Sequence, residues 1–594
     1  MSDSVRTVVR ELLRKAVAGA RAEGLLLEVP AQVPIERPKR PEHGDYATNL
    51  ALGLAKAAQK PPRVLGEAIA KHLRAVAGAD LAEASVAGPG FVNLRLSDAF
   101  WQRRLLEIRK AGASWGRGQA MPDKLCVEYV SVNPTGPLHF AHGRHAAVGD
   151  SLTRLLRFAG YDVVREFYLN DAGNQVTTLA LSVWARYMEA ARAADASLPE
   201  VGFPENGYRG DYIRTIGREL FARDGARFVG AEPPSDIEPI KRFAIDRCLG
   251  MIRATLARFD VEFDVWQSER ELHETGEVMA TLDLLDRAGF IDRHDNAVWL
   301  RTTVLWGDEK DRVVVKSDGL PTYLLADIAY HRKKLLRGFG SLVDIWGADH
   351  HGHIPRMQAA LKALGAEPGR LSVILIQMVS LLRDGKPVPM GKREGEFVTL
   401  DEVVDEVGRD ATRFFYLMRR HDTGLEFDLE LAKRQSMDNP VYYAQYAHAR
   451  CASLQKRAAE LGAPELPLSE ELVAHLSLPE EIAILRRLAD FPDYLADAAA
   501  AREPHRLVQY IQELAGEFQS YYTRLQKVHG DSILPQQRQR VGDWHATWDW
   551  RRTAARLAWV EAIRQVLETA LSLVGVSAPH EMKRAEAAEE AEEL

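Results

Sequence analysis

The chain has 594 residues, 46% of them hydrophobic and 27% charged, so it is too long for one core and too apolar for extended disorder. Its 77 basic and 84 acidic residues leave a net charge of −7, which excludes a protein that coats nucleic acid through bulk positive charge; an RNA partner has to be held by local patches. No apolar run is long enough for a membrane helix, the charged amphipathic start lacks the apolar core of a secretory signal, and Cys126, Cys248 and Cys451 form no disulfide or metal-ligand pattern. A multidomain cytoplasmic enzyme without a structural metal is expected.

Residues 1 to about 110 mix helical stretches with the strand-like runs Ser85–Ala87 and Phe91–Leu94, a small α+β domain followed by the Gly/Ala-rich linker Ala111–Ala120. The apolar run Leu125–Val130 then ends in the turn-forming Asn133–Pro137, before a helical pattern through Leu152, Leu155 and Leu156. That is the strand, loop and helix of a doubly wound sheet. Leu342–Trp346 and Val373–Ile376 have the β-branched composition of further buried parallel strands, so the central domain is Rossmann-type α/β. Between about 180 and 290 the pattern is mostly helical and polar, which predicts an insertion. From about 440 onward helices alone are expected, punctuated by Pro464, Pro467, Pro479, Pro492 and Pro504. Ala585–Glu593, alanine and glutamate only, reads as a solvated tail.

Two motifs carry chemistry. His139-Phe140-Ala141-His142, followed by Gly143, Arg144 and His145, sits where a strand's loop enters a helix. Unpaired amides and the helix dipole attract phosphate there, and two imidazoles would stabilise charge forming on an α-phosphate during in-line attack. Helix-capping histidines, or a metal pair lacking a third ligand, are the alternatives. Some 250 residues further on, Pro389-Met390-Gly391-Lys392-Arg393-Glu394-Gly395 offers either a loop that clamps a triphosphate or merely solvated charge.

In this order and spacing the two motifs resemble the HIGH and KMSKS signatures of class I aminoacyl-tRNA synthetases. The runs Glu128–His139, Arg165–Gln175 and Lys316–Tyr323 are similar to arginyl-tRNA synthetases in particular, as are His43–Asn49, Gly88–Asn93, Tyr442–Arg450 and Gly575–Pro579. The likeness spans nearly the whole chain. It departs at Ala141, where the family usually has glycine, and at Pro389 and Gly391, which replace the first lysine and the serine of the second signature.

The resemblance implies an N-terminal additional domain at 1–115 that binds the tRNA D-loop and a Rossmann-type catalytic domain at 116–385 with its insertion at about 180–290. A loop and connecting stem at 386–440 and an all-α anticodon-binding bundle at 441–594 follow. It implies a monomer that attaches L-arginine to tRNA(Arg) through an arginyl-adenylate, uses ATP with Mg2+, and needs tRNA for activation. His139, His142, Lys392 and Arg393 would be catalytic, and Ala141, Gly143, Gln377 and Met390 would join His139, His142 and Lys392 around ATP. Arg144 or Lys316 would share in neutralising phosphate. A guanidinium is a charged planar fork that needs carboxylates and an aromatic or hydroxyl group to fix its plane. Glu128, Tyr323 and Asp327, the last two four apart on one helix face, match that need; Asn133 would hold the substrate's backbone end, and Asp349 or His350 would complete the region. For tRNA, the implied contacts are Phe91 and Asn93, then Tyr442, Tyr446, Arg450, Trp548 and Arg551, aromatic and basic groups suited to unpaired bases. Two rival readings are a tRNA-binding paralogue without catalysis and a nucleotidyltransferase of the same fold that does not use RNA.

Overall fold

The computed structural model describes residues 4–25, 29–30, 32–388, 397–527 and 532–582. At its centre is a five-stranded parallel sheet in the spatial order Leu371–Ile376, Ser341–Gly347, Lys124–Glu128, Asp162–Leu169, Val265–Ser268. Numbered along the chain this is 5-4-1-2-3, a doubly wound order whose direction reverses between the first strand and the fourth. Alternate residues of a strand point to opposite faces, and the two cores divide accordingly. Leu125, Val127, Val343 and Ile345 pack with helix His142–Phe158. Cys126 and Leu342 pack instead with Leu325, Ile328 and Ala329 of helix Tyr323–Leu336. Glu128 and Asp344 share the parity of Cys126 and Leu342, so both carboxylates point toward the second helix.

Helices Asn174–Ala194, Asp211–Asp224 and Glu238–Arg258 form a lobe with its own apolar core, including Trp184, Ile216 and Phe243. Val265–Ser268, inside the stretch expected as insertion, is the edge strand of the main sheet. A three-stranded antiparallel sheet, Ile291–His294, Ala297–Leu300 and Arg312–Val315, had no counterpart in the sequence reading because its strands are only four residues long.

Helices Val5–Ala22, Leu50–Ala58 and Pro62–Ala77 accompany an antiparallel sheet of Tyr46–Thr48, Phe91–Leu96 and Leu81–Ala87. The C-terminal region is helical, built chiefly from Pro440–Glu460, Pro479–Ala501, His505–Lys527 and Trp550–Leu573. Charge pairs join the two ends of the chain: Arg37 meets Asp490 at 2.5 Å, and Arg486 meets Asp45 at 3.2 Å. The indole of Trp115 adds a hydrogen bond to the Leu488 carbonyl, 2.9 Å.

Candidate active site

A cleft of about 730 Å3 opens at the carboxyl ends of the central strands, where the strand order reverses. Directly after Glu128 the backbone takes φ of 69° at Val130 and 40° at Ser131, a left-handed conformation that a β-branched valine rarely adopts. The turn is held from outside: the Ser131 hydroxyl accepts from the amide of Tyr168, 3.1 Å. Strain held in this way is a mark of functional loops, and both residues line the cleft.

The histidine pair stands at the mouth of helix His142–Phe158. Its segment is pinned to the chain beyond the second motif, the amide of Phe140 donating to the Val398 carbonyl at 3.0 Å and that of Leu400 to the Leu138 carbonyl at 2.8 Å. Nδ1 of His139 accepts the amide proton of Ala141, and Nδ1 of His142 accepts that of His139, both at 3.1 Å. With Nδ1 engaged as an acceptor, each neutral ring carries its proton on Nε2. Burial keeps both rings neutral, lowering His139 below its ordinary value and His142, further depressed by His145 and His139, to about 3. The pair therefore presents neutral N–H donors of fixed tautomer. His145, also lowered by burial, to about 4, lines the cleft behind them.

The opposite wall is acidic. Tyr323 and Asp327 share a face of helix Tyr323–Leu336 and both line the cleft, the tyrosine 75% exposed and the aspartate 3.1 Å from Nε2 of His353. Glu128 closes the floor, while Asn133, tied to Gln175, lies on the rim with Asp349 and His350. The sequence reading missed Glu269, which begins a short helix after the edge strand and lines the cleft beside Tyr168. Burial, with Asp327 and Asp171 nearby, lifts its carboxyl to about 7 against the donation of Tyr168. It also missed Phe397, which packs on His139 with ring centres 5.3 Å apart. No local motif marks either residue.

Other expected residues lie elsewhere. Ala141, Gly143 and Gln377 do not line the cleft. A side chain at Gly143 would strike Leu400 and Tyr416 at 2.6 Å, so close helix packing explains the glycine. Arg144 is a correction: it is buried and donates to the carbonyls of Gln377, Thr423 and Arg420, each at 2.9 Å, which leaves it unable to serve phosphate. Lys316 is exposed and also outside the cleft lining. Pro389, Met390, Gly391, Lys392 and Arg393 lie outside the described residues.

Among the expected RNA contacts, Phe91 is half-buried on strand Phe91–Leu96 and Asn93 is buried there. Tyr442 is buried and stacks on Tyr446, whose ring also carries Arg450 at 4.8 Å. Trp548 donates to Thr553 at 2.8 Å, and Arg551 pairs with Glu471 at the surface.

A doubly wound sheet, a switch-point cleft with imidazole donors at a helix start, and flanking helical and α+β domains define a multidomain nucleotide-using enzyme. Residues 109–424 match the catalytic-domain model of the class I (R) tRNA synthetases, residues 4–96 that of the arginyl tRNA synthetase N terminal domain, and residues 444–582 that of the DALR anticodon binding domain. An arginine–tRNA ligase of Citrifermentans bemidjiense is 45% identical over 579 residues, 97% of this chain and 99% of that protein. One of Geobacillus thermodenitrificans is 44% identical over 579 residues, 97% of this chain and 98% of that one. The arginyl-tRNA synthetase structure of Thermus thermophilus, 21% identical, superposes with a TM-score of 0.70 across 97% of this chain and 100% of that chain, which shows a shared fold. The chain belongs to the arginyl-tRNA synthetase family.

Proposed function

We propose that this protein attaches L-arginine to tRNA(Arg) in two steps, and the observation that carries the reading is the cleft's division into neutral imidazole donors and a carboxylate wall. Asp327, Glu128 and Glu269 receive the guanidinium, with Tyr323 against its plane and Asn133 near the substrate's backbone end. The arginine carboxylate then attacks the α-phosphorus of ATP, which enters as its magnesium complex, and the bond to the β-phosphate bridging oxygen breaks. His139 and His142 donate to the non-bridging oxygens as charge builds on them. Their neutrality suits the step, because a neutral Nε2–H donates without needing a proton replaced afterwards. Pyrophosphate leaves, and a terminal ribose hydroxyl of tRNA attacks the adenylate carbonyl to release AMP.

Lys392 and Arg393 serve the departing phosphates on this reading, and its support is their place in the second motif. The region around 1–115 holds the D-loop through Phe91 and Asn93, and the bundle from 441 holds the anticodon through Tyr442, Tyr446, Arg450, Trp548 and Arg551. The reading also takes the enzyme to be a cytoplasmic monomer, as the family resemblance implies.

The test is ATP–pyrophosphate exchange with arginine, with and without tRNA(Arg), for wild type and Asp327→Ala. Arginine-specific exchange that requires tRNA and disappears in the variant is expected. Retained tRNA binding without exchange under any condition would favour a non-catalytic paralogue.

A further inference from the structure

The parallel register sets Asp344 beside Glu128, and Glu128 beside Glu166, on three adjacent strands. All three are buried, at 0%, 5% and 0% exposure. Neighbouring strands are about 4.8 Å apart, so an uncompensated row of three carboxylates would be prohibitive inside a protein. Helix Tyr323–Leu336 and the residue after it supply the compensation. Arg337 takes Glu166 with both terminal nitrogens, one of them at 3.2 Å.

Lys334, fully buried, uses its whole ammonium group. It donates to Oε2 of Glu128 at 2.5 Å and to Oδ1 of Asp344 at 3.0 Å, and it lies 4.2 Å from the ring centre of Tyr330. His331, one turn earlier, meets the other Asp344 oxygen through Nε2 at 2.5 Å and the Asp327 carbonyl through Nδ1 at 2.7 Å. Both partners are acceptors, so the ring carries both protons. Burial, the largest single influence, lowers the His331 imidazole, but the charge and hydrogen bond of Asp344 together with Glu128 lift the ring above its ordinary value. Two carboxylates, Glu128 and Asp344, thus face two cationic partners, Lys334 and His331, in one hydrogen-bonded cluster. Oε1 of Glu128 has no hydrogen-bond partner among the described residues, and Glu128 lines the cleft.

We propose that Lys334 is a positioning residue for amino-acid selection: it holds Glu128 ionised and oriented, one oxygen on its own ammonium and the other presented to the substrate's cationic side chain. The inference rests on the reading of Glu128 as part of the arginine site. Burial beside Asp344 pushes the Glu128 carboxyl up, and Lys334 is the main group opposing that push. Without Lys334 the acid takes a proton and loses its charge-assisted bond to a guanidinium.

Arginine KM, ATP KM and kcat are measured by pyrophosphate exchange with tRNA present, between about pH 6.5 and 9, for wild type, Lys334→Met, Lys334→Met with Asp344→Asn, and Glu128→Gln. Lys334→Met is expected to raise arginine KM about tenfold or more at pH 7 while ATP KM stays within about twofold. Its arginine KM recovers as pH rises and Glu128 ionises, and adding Asp344→Asn moves that recovery to lower pH by removing the like charge. A purely structural role predicts lost kcat or stability with no pH-dependent arginine KM, and that result overturns the proposal. If Lys334→Met does not fold, the double variant, which leaves no unpaired charge at position 344, takes its place against wild type. Unchanged arginine KM in Glu128→Gln defeats the arginine-site reading itself, whereas a raised KM there with none in the Lys334 variants defeats the positioning role alone.

Discussion

The main-chain amide of His139 donates to Nδ1 of His142 across 3.1 Å, and by occupying that lone pair it decides which nitrogen of His142 faces the substrate. His142→Asn removes the donor at the Nε2 position, while His142→Gln reaches it with an amide N–H. On the loss of one preorganised donor, His142→Asn should lower kcat for pyrophosphate exchange by about 100- to 1,000-fold. His142→Gln should retain more of the rate, and arginine KM should move little in both. Equal kcat losses in the two variants would place the role of His142 in packing instead.

Arginine binding should be linked to a proton on Glu269. Burial lifts its carboxyl to about 7, and a guanidinium needs it ionised, so binding below that pH releases a proton. Arginine KM should fall roughly tenfold from about pH 6 to about pH 8, and Glu269→Gln should flatten the dependence. The sign for stability is opposite. The folded group keeps a proton that the unfolded one, near 4.5, has lost, so its contribution is complete below about 4.5 and disappears as pH rises through about 7. Thermal midpoints of wild type and Glu269→Gln across that range check this second consequence.

Gly575 should be intolerant of a side chain for a reason far from the cleft. Its φ is 68°, and a Cβ there would strike the guanidinium of Arg413. That buried guanidinium bonds Asp150 at 2.5 Å, the Phe259 carbonyl at 2.8 Å and the Val574 carbonyl at 3.1 Å, joining the catalytic domain to the end of the bundle. Gly575→Ala displaces it from Asp150, which keeps Arg154 at 2.6 Å, and sets an alanine at positive φ, a change on the order of 1–3 kcal/mol. A lower thermal midpoint with arginine KM unchanged is expected; a midpoint equal to wild type would show that Arg413 repositions freely.

Phe91→Ala should weaken tRNA binding alone. Stacking on one unpaired base contributes about 1–3 kcal/mol, so tRNA KM should rise about fivefold or more, with arginine and ATP KM unchanged. An unaltered tRNA KM would assign Phe91 to the packing of its own small sheet.

The local parts of this protein were legible in its sequence. Leu125–Val127 is apolar without alternation because its strand is covered on both faces, and Tyr323 and Asp327 are four apart because one helix face presents them together. The two histidines at a helix start also follow from spacing alone. The small antiparallel sheet at 291–315 was missed because its four-residue strands are too short to show a period.

What tertiary structure alone decided is which distant groups meet. Lys334 and Glu128 are 206 positions apart, and Arg144 commits both terminal nitrogens to carbonyls 233 to 279 positions away. Neither partnership has a sequence signal, since each arises from strand order and register, through which a lysine becomes the counter-ion of a neighbouring row and an arginine beside the histidines is withdrawn from phosphate. The sequence by itself determined the elements, their faces and the chemistry they carry. The fold determined which charges are already answered within the protein and which remain for a substrate, because burial makes an unpaired charge too costly and only three-dimensional packing chooses its partner.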